Sequence, residues 1–342
     1  MDMKPDETTV KKRAALISLI VGFLMFFGKL SAYFLTGSAA VLSDALESIV
    51  HIIATSFAFY SLIVSVKPPD KEHPYGHGKI SFFSAGFEGA MIIIAAFTII
   101  FYAVRDLIYG REISSLDTGA AIITAASIIN LILGWFLIRT GRKTKSIVLI
   151  ADGKHVLTDS ITSFGAVAAL ILVLFTGMNI FDPIIAIILA LNILWTGKDL
   201  VRESVGGLMN EQNRKIISDI AEAVDRQRKS NPYWIDLHKL RYWKSGDRYI
   251  VDFHLTVPFF SSIEESHIEY DKLSELLMKK LDTSDVELLM HLDPCKQYFC
   301  KICRKQDCSY RGETQKSDVL WDDKKVTEDT TFILGKEAEA DP

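Results

Sequence analysis

The second of several long apolar stretches in this chain reads AAVLSDALESIVHIIATSFAFYSLIVS and covers residues 39–65. It is longer than the roughly 20 residues that an α-helix needs to cross ~30 Å of hydrocarbon. Yet it contains Glu47 and His51, and a charged side chain at the centre of a spanning helix costs about 3 kcal/mol. We therefore expect both side chains to be retained because they pair, take up protons or bind an ion.

Apolar stretches of membrane-spanning length recur before residue 210. They cover residues 14–36, 39–65, 82–109, 118–139, 146–176 and 180–205. Hydrophobic residues make up 49% of the 342-residue chain, and their concentration in this part predicts a membrane protein with a soluble C-terminal part. The membrane domain is predicted to be all-α, with six transmembrane helices.

Basic residues indicate how these helices are oriented. They cluster before the first stretch, between the second and third, and between the fourth and fifth: Lys11, Lys12, Arg13, Lys67, Lys71, Lys79, Arg139, Arg142, Lys143 and Lys145. Because cytoplasmic loops carry an excess of Lys and Arg, we expect a multi-pass protein of the cell (inner) membrane with both termini in the cytoplasm. The net charge of −4 indicates no particular partner, and no nucleic acid is expected.

The fifth stretch carries a second polar pair, His155 and Asp159. Each pair is spaced i, i+4 and so lies on one helical face, and a rise of about 1.5 Å per residue brings both pairs near the bilayer midplane. Two imidazoles and two carboxylates form a tetrahedral ligand set suited to a divalent ion such as zinc. The alternative is a structural polar network that ties the two helices together.

Two further carboxylates, Asp44 and Asp152, each precede one of these pairs by three residues. They add an acidic group to each helical face. We interpret them as groups on the access path or behind the ligands, with direct coordination as the alternative.

The loop after the second stretch, KPPDKEHPYGHGK at residues 67–79, contains Asp70, His73 and His77. A loop with Pro and Gly can fold all three onto one cation, whereas a helix would present only the two histidines together. From the residues alone, a metal site and a hydrogen-bond cluster that orders the loop are equally good interpretations.

The pattern after residue 210 is that of a small α+β domain. An amphipathic helix at about 213–229 precedes two strands joined at Ser245-Gly246-Asp247, a helix at about 263–281 and a strand at about 285–293. This αββαβ order is ferredoxin-like. The predicted organisation is a cytoplasmic N-terminus, the membrane domain, this cytoplasmic domain, and a Cys-containing segment with a disordered acidic tail, at residues 1–13, 14–209, 210–295 and 296–342.

Four of the eight histidines lie in this domain, together with an acid two residues after the last one: His238, His254, His267, His291 and Asp293. Strand alternation sends Val251 and Phe253 to one face and His254 to the other, while His291 shares a face with Asp293. A lone strand histidine is usually a surface residue. The concentration of imidazoles beside a carboxylate instead predicts a metal cluster.

All four cysteines come late in the chain, as Cys295, Cys300, Cys303 and Cys308. On the predicted topology they are cytosolic, so disulfides are not expected. Four thiolates can complete a tetrahedral metal site, and a set of reduced, unliganded thiols is the alternative. The polar, acidic residues from 309 onwards have no apolar period, and we expect disorder there.

Taken together, the two polar helices and the histidine loop resemble the cation diffusion facilitator (cation efflux) family of divalent-metal/proton antiporters. The runs GSAAVLSDALESIVH at 37–51 and ADGKHVLTD at 151–159 resemble the family's two ligand helices, and residues 67–79 resemble its cytoplasmic signature. The resemblance implies a transport site, an interface metal site and a binuclear zinc site beside the dimer seam. Their implied ligands are Glu47, His51, His155 and Asp159; Asp70, His73 and His77; and His238, His254, His267, His291 and Asp293.

The sequence departs from the family pattern at two places. The pair on the second stretch is Glu47 then His51, where His/Asp or Asp/Asp is commoner, which leaves the preferred metal open. In the family, the position of Lys79 pairs with an acid at the end of the sixth helix and locks the dimer, but the matching position here is Asn210.

The resemblance implies a homodimeric exporter that moves divalent cations out of the cytoplasm in exchange for protons by alternating access. Zinc is the expected metal, with iron, cobalt, manganese or cadmium as alternatives, and zinc or a similar ion is also expected as a structural or regulatory ligand. Two alternative functions are that of a non-transporting metal-sensing membrane scaffold and that of an intramembrane metallohydrolase. An enzyme is not expected, because the chain has no His-Glu-x-x-His element.

Overall fold

A computed structural model describes residues 5–36, 39–109, 117–176, 178, 180–246, 248–283 and 285–331. Within these ranges it describes the backbone but not the side chains of residues 5, 6, 32–36, 39–47, 49, 50, 117–123, 162, 163, 165–174 and 182. The side chains of Asp44 and Glu47 therefore lie outside the described part. Two compact units make up the chain, Asp2–Met209 and Asn210–Pro342.

The first unit consists of long helices that overlap the six predicted apolar stretches. They are α1 (Pro5–Thr36), α2 (Ala39–Ser65), α3 (Ile80–Tyr109), α4 (Asp117–Lys143), α5 (Ile147–Thr176) and α6 (Phe181–Leu208). In the described residues, four of them contain a segment long and apolar enough to cross a bilayer, in α1, α3, α4 and α6, and α2 adds a shorter apolar segment. Large apolar side chains such as Leu24, Phe101 and Ile132 are more than half exposed, as expected for helices that face lipid.

Glycines allow two helix pairs to pack at backbone distance. A Cβ on Gly89 of α3 would lie 3.0 Å from the carbonyl oxygen of Gly197 on α6. In the same way, a Cβ on Gly134 of α4 would lie 3.0 Å from the carbonyl oxygen of Gly153 on α5. Small residues at such contacts let membrane helices approach closely, where van der Waals packing replaces the hydrophobic effect.

Helix α5 lies between two buried clusters. Its residues Val148 and Val156 pack with side chains of α1, α2 and α4, whereas Ala151 packs with α3 and α6. The helix that carries the second predicted ligand pair is therefore surrounded by protein on both sides, which is where polar groups inside a membrane domain can be satisfied.

The second unit is a small α+β domain with one three-stranded sheet. Its elements are α7 (Arg214–Arg228), β1 (Asp236–Ser245), β2 (Arg248–Val257), α8 (Ile263–Leu281) and β3 (Val286–Pro294), in the predicted αββαβ order. Strand β2 is central, antiparallel to β1 and parallel to β3. The parallel pairing requires a crossover, which α8 supplies after a capping box formed by Ser262 and Glu265.

The prediction of disorder from residue 309 is wrong for residues 309–331. A short helix, α9 (Asp323–Thr327), follows Trp321, and Trp321 and Val326 belong to the core of the second unit with 1% and 0% exposure. The backbone N–H of Trp321 donates to Asp225 on α7 at 3.1 Å. Two isolated buried side chains, Trp321 and Val326, attach this segment to the core. Two isolated apolar residues produce no periodic pattern, so they could not be detected from the sequence.

Candidate metal centres

Helices α2 and α5 bring three of the four predicted transport ligands together. The ring of His51 on α2 stacks on that of His155 on α5, with centroids 5.1 Å apart and planes 10° apart. Nδ1 of His51 is 3.9 Å from Oδ2 of Asp159, and ligand atoms of all three residues lie within 4.8 Å of one another. Two imidazoles and one carboxylate form an incomplete tetrahedral ligand set. Glu47 lies on α2 one turn before His51, with its side chain outside the described part.

The surroundings of this group are buried and polar. His51 and His155 are 8% and 6% exposed, whereas the side chain of Asp159 is 31% exposed, so an ion held there would be shielded from water on the histidine side. Asp152, one turn before His155, is 1% exposed and accepts a hydrogen bond from Oγ1 of Thr55 on α2 at 3.2 Å. This contact links α2 to α5 beside the ligands, in keeping with the interpretation of Asp152 as a group behind them.

Glu88 on α3 is a site residue that sequence reasoning missed. It is 1% exposed, and its Oε2 lies 3.6 Å from Nδ1 of His155. Neither carboxylate oxygen has a hydrogen-bond partner among the described residues. The signal was present as an acid within the apolar run GFEGAMIII at 86–94, and an intramembrane ionisable residue is a functional candidate by default.

The loop between α2 and α3 gathers Asp70, His73 and His77 as predicted. Oδ1 of Asp70 accepts the backbone N–H groups of His73 and Glu72 at 2.7 and 3.0 Å, and Oδ2 lies 3.2 Å from Nε2 of His77. The backbone N–H of His73, with smaller contributions from the two imidazoles, lowers the pKa of Asp70 below its ordinary value. The same carboxylate therefore orders the loop and presents three potential ligands within 4.8 Å.

The sheet of the second unit aligns three histidines across its strands. His238 on β1, His254 on β2 and His291 on β3 occupy paired positions, with ring centroids 5.0 and 4.4 Å apart. Asp293 reaches all three: its Oδ2 is 3.0 Å from Nδ1 of His254 and 3.6 Å from Nε2 of His238, and its Oδ1 is 3.4 Å from Nε2 of His291. Ligand atoms of His238, His254 and Asp293 lie within 4.8 Å of one another. His291 on β3 and His267, which is exposed on α8 and stacks on Tyr270, belong to none of the ligand groups found among the described residues.

A buried ion pair orients His238 from behind. Oδ2 of Asp236 is 3.4 Å from Nδ1 of His238, and its Oδ1 is 2.8 Å from Nζ of Lys325 on α9. Burial raises the pKa of Asp236, but the interactions with His238 and Lys325 outweigh it, so the pKa lies below its ordinary value. Asp236 thus lies beside Nδ1 of His238 while Nε2 faces Asp293, and a carboxylate behind the imidazole is an arrangement that metal-binding histidines commonly use. Lys325 is distant from Asp236 in the sequence, and no sequence pattern predicted this contact.

Both parts of the chain match models of one protein family. The cation efflux transmembrane domain matches residues 15–209, and the cation efflux protein cytoplasmic domain matches residues 214–295. An uncharacterised transporter of Synechocystis sp. is 35% identical over 78% of this chain and 84% of its own length. The cation-efflux pump FieF of Shewanella oneidensis is 27% identical over 83% of this chain and 94% of its own length. The zinc transporter ZitB of Escherichia coli is 24% identical over 87% of this chain and 92% of its own length.

Proposed function

The chain belongs to the cation diffusion facilitator family, and from this premise we propose that it exports divalent metal cations from the cytoplasm in exchange for protons. Members of this family are transporters rather than enzymes, and this chain is a multi-pass membrane protein. Zinc is the proposed substrate, supported by a relative that is named as a zinc transporter and by the nitrogen and oxygen ligands. Iron, cobalt, manganese and cadmium bind the same ligand types.

The observation that carries this proposal is the convergence of His51, His155 and Asp159 between α2 and α5. Glu47 precedes His51 by one helical turn on α2, and we assign it as the fourth ligand. With both ligand carboxylates ionised and both imidazoles neutral, the four proposed ligands and a bound 2+ ion together carry zero net charge. A buried site tolerates such a neutral state far better than an isolated charge.

Proton exchange follows from the charge that remains when the ion leaves. The two carboxylates would then repel each other in a shielded site, and protons on the imidazoles or carboxylates remove that repulsion. Glu88 supports this step, because a proton on His155 would create an ion pair with Glu88 across 3.6 Å. We therefore assign Glu88 as a group that stabilises the protonated, metal-free site.

The proposed topology places both termini in the cytoplasm, with helices α1–α6 as six membrane spans. The ligand helices α2 and α5 would then expose the ion to either side in turn, as in other transporters with midplane sites. The loop group of Asp70, His73 and His77 would lie at the cytoplasmic surface and hold a metal ion there.

The C-terminal unit is proposed to be the dimerisation and metal-sensing domain, because residues 214–295 match the family's cytoplasmic domain. Its metal ligands are proposed to be His238, His254, His291 and Asp293, with His267 on α8 contributing to a second ion. Since ligands that come together only in the fold add their binding free energy to folding, zinc should stabilise this domain and its dimer.

The transport proposal is tested with the full chain in proteoliposomes, using a zinc-sensitive dye on one side and a pH dye to follow protons. Asp159→Asn removes one ligand charge without changing shape, so zinc flux should be lost. Asp199→Asn is the matched control, since Asp199 is an exposed carboxylate on α6 and its variant should transport normally.

Retained zinc-driven proton movement in Asp159→Asn would overturn the site assignment. Zinc flux without proton movement in the unmodified protein would instead overturn the exchange mechanism and leave the site in place.

A further inference from the structure

All four cysteines of the chain line a single cavity of about 310 Å³ in the C-terminal unit. Cys303 is buried, and the other three are partly exposed. The cavity is bordered by aromatic rings, including Phe259, Phe299 and Tyr310, and Phe299 and Cys303 also belong to a small buried cluster. The cysteines therefore share one partly open pocket, although they belong to different turns of the chain.

Backbone hydrogen bonds bring the four residues to this space. Cys295 follows β3 directly, and its N–H donates to the carbonyl oxygen of Val257 on β2 at 2.9 Å. Cys300 lies in a 3-10 turn (Gln297–Lys301), and Cys303 closes it by donating its N–H to Phe299. Cys308 begins a turn in which its carbonyl oxygen accepts the N–H of Arg311 at 3.2 Å.

The side chain of Arg311 holds these turns together. Its guanidinium donates to the carbonyl oxygens of Cys300, Cys303 and Lys305 at 3.2, 2.8 and 2.9 Å. Hydrogen bonds from a charged group are stronger than neutral ones, so the loop is fixed before any ligand binds. In the described residues no three sulfur atoms meet within 4.8 Å, so binding of one ion by all four thiolates requires the cysteine side chains to rotate toward one another.

The charge around the cavity suits thiolate ligands. Lys296, Lys305 and Arg311 line it, and a divalent ion with four thiolates carries two negative charges that these cations offset.

We propose that Cys295, Cys300, Cys303 and Cys308 form a tetrathiolate site for Zn²⁺, separate from the histidine cluster on the sheet. Four thiolates are a closed, structural zinc ligand set, and the cytosolic side of a membrane keeps thiols reduced. The spacing Cys-x4-Cys-x2-Cys also occurs in plant-type iron–sulfur proteins. Here the fourth ligand follows after only four residues, so one short loop can surround a single ion.

The test uses thiol alkylation of the full chain in detergent under reducing conditions, read by mass spectrometry. Because the chain has no other cysteines, every alkylated thiol reports on this loop. Zinc should slow alkylation of all four thiols by at least about tenfold, because a metal-bound thiolate is no longer a free nucleophile. A chelator should restore the rate.

Variants give a second measurement. Cys300→Ser with Cys303→Ser should reduce bound zinc by one ion per chain and expose Cys295 and Cys308 to alkylation with zinc present. Ser309→Ala, an exposed neighbour, is the control and should behave like the unmodified chain. Equal alkylation with and without zinc overturns the proposal, as does recovery of the four residues as disulfides. A coloured protein that contains iron and labile sulfide would overturn the choice of zinc.

Discussion

Removing residues 309–331 should unfold the C-terminal unit. We compare two fragments, 210–331 and 210–308, and the longer one keeps every described contact of the segment. The shorter fragment loses Trp321 and Val326 from the core and leaves Asp236 buried without Lys325.

The expected loss can be estimated from these contacts. Emptying the space of a buried Trp costs about 3–5 kcal/mol, and removing a buried Val costs about 2 kcal/mol. Removing Lys325 from the buried ion pair costs a further 3–5 kcal/mol, roughly, because the buried charge of Asp236 loses its lysine partner and keeps its contact with His238. A total of about 10 kcal/mol is comparable to the whole stability of a small domain, about 5–15 kcal/mol.

Urea unfolding followed by near-ultraviolet circular dichroism measures this loss. Fragment 210–331 should unfold cooperatively, and fragment 210–308 should lack a native baseline. Neighbouring substitutions separate the contributions: Trp321→Ala should lose about 3–5 kcal/mol and Lys325→Met about as much. Leu320→Ala and Lys324→Met, both at exposed positions, should change stability by less than about 0.5 kcal/mol. The reasoning is refuted if fragment 210–308 unfolds within about 1 kcal/mol of the longer fragment.

Three further outcomes are expected. Glu88→Gln should leave zinc binding by the full chain nearly unchanged but shift zinc-driven proton release to a different pH range, and a pH profile identical to that of the unmodified protein would exclude Glu88 from proton exchange. Asp293→Asn should weaken zinc binding to fragment 210–331 by more than about tenfold, because the carboxylate contacts three histidines; calorimetry that finds no difference from the exposed control Asp271→Asn would reject the cluster. Asp236 has a lowered pKa in the folded state, so its stabilisation is present above the unfolded value of about 3.9 and is lost as pH falls through the folded value. Asp236→Asn should therefore flatten the dependence of unfolding free energy on pH below about pH 4, and an unchanged acid limb would contradict this.

Patterns with a regular period were predictable from the sequence. The order of elements in the C-terminal unit followed from strand alternation around Val251 and Phe253 and from the amphipathic helices. The same alternation placed His254 and Asp293 outside the apolar core, where the structure brings them within 3.0 Å. The i, i+4 spacing likewise placed His155 and Asp159 on one face of α5, and both belong to one ligand group.

Relations between distant segments were not predictable in this way. Glu88 meets His155 only because α3 packs against α5, and no spacing rule specifies which helices are neighbours. Lys325 pairs with Asp236, although most of the sequence of the C-terminal unit lies between them. The residues next to Lys325 in the sequence are mostly polar. Trp321 anchors a segment with no repeating apolar pattern, so the segment resembled a disordered tail until its contacts were known.

The glycine contacts within the membrane unit bear on how an ion could be released. Backbone contact at Gly134 and Gly153 couples α5 to α4, and contact at Gly89 and Gly197 couples α3 to α6. The three described residues of the proposed transport site are thus divided between α2 and the α4/α5 pair, and Glu88 belongs to the α3/α6 pair. We expect that a slide of about 1–2 Å between α2 and these helix pairs would open the coordination shell. Each proposed ligand would keep its rotamer during this movement. Cross-links within the α4/α5 pair or within the α3/α6 pair should then leave transport unchanged, whereas cross-links between α2 and α5 should stop it. In this arrangement the size of the ion would set the distance between the two helices that bind it.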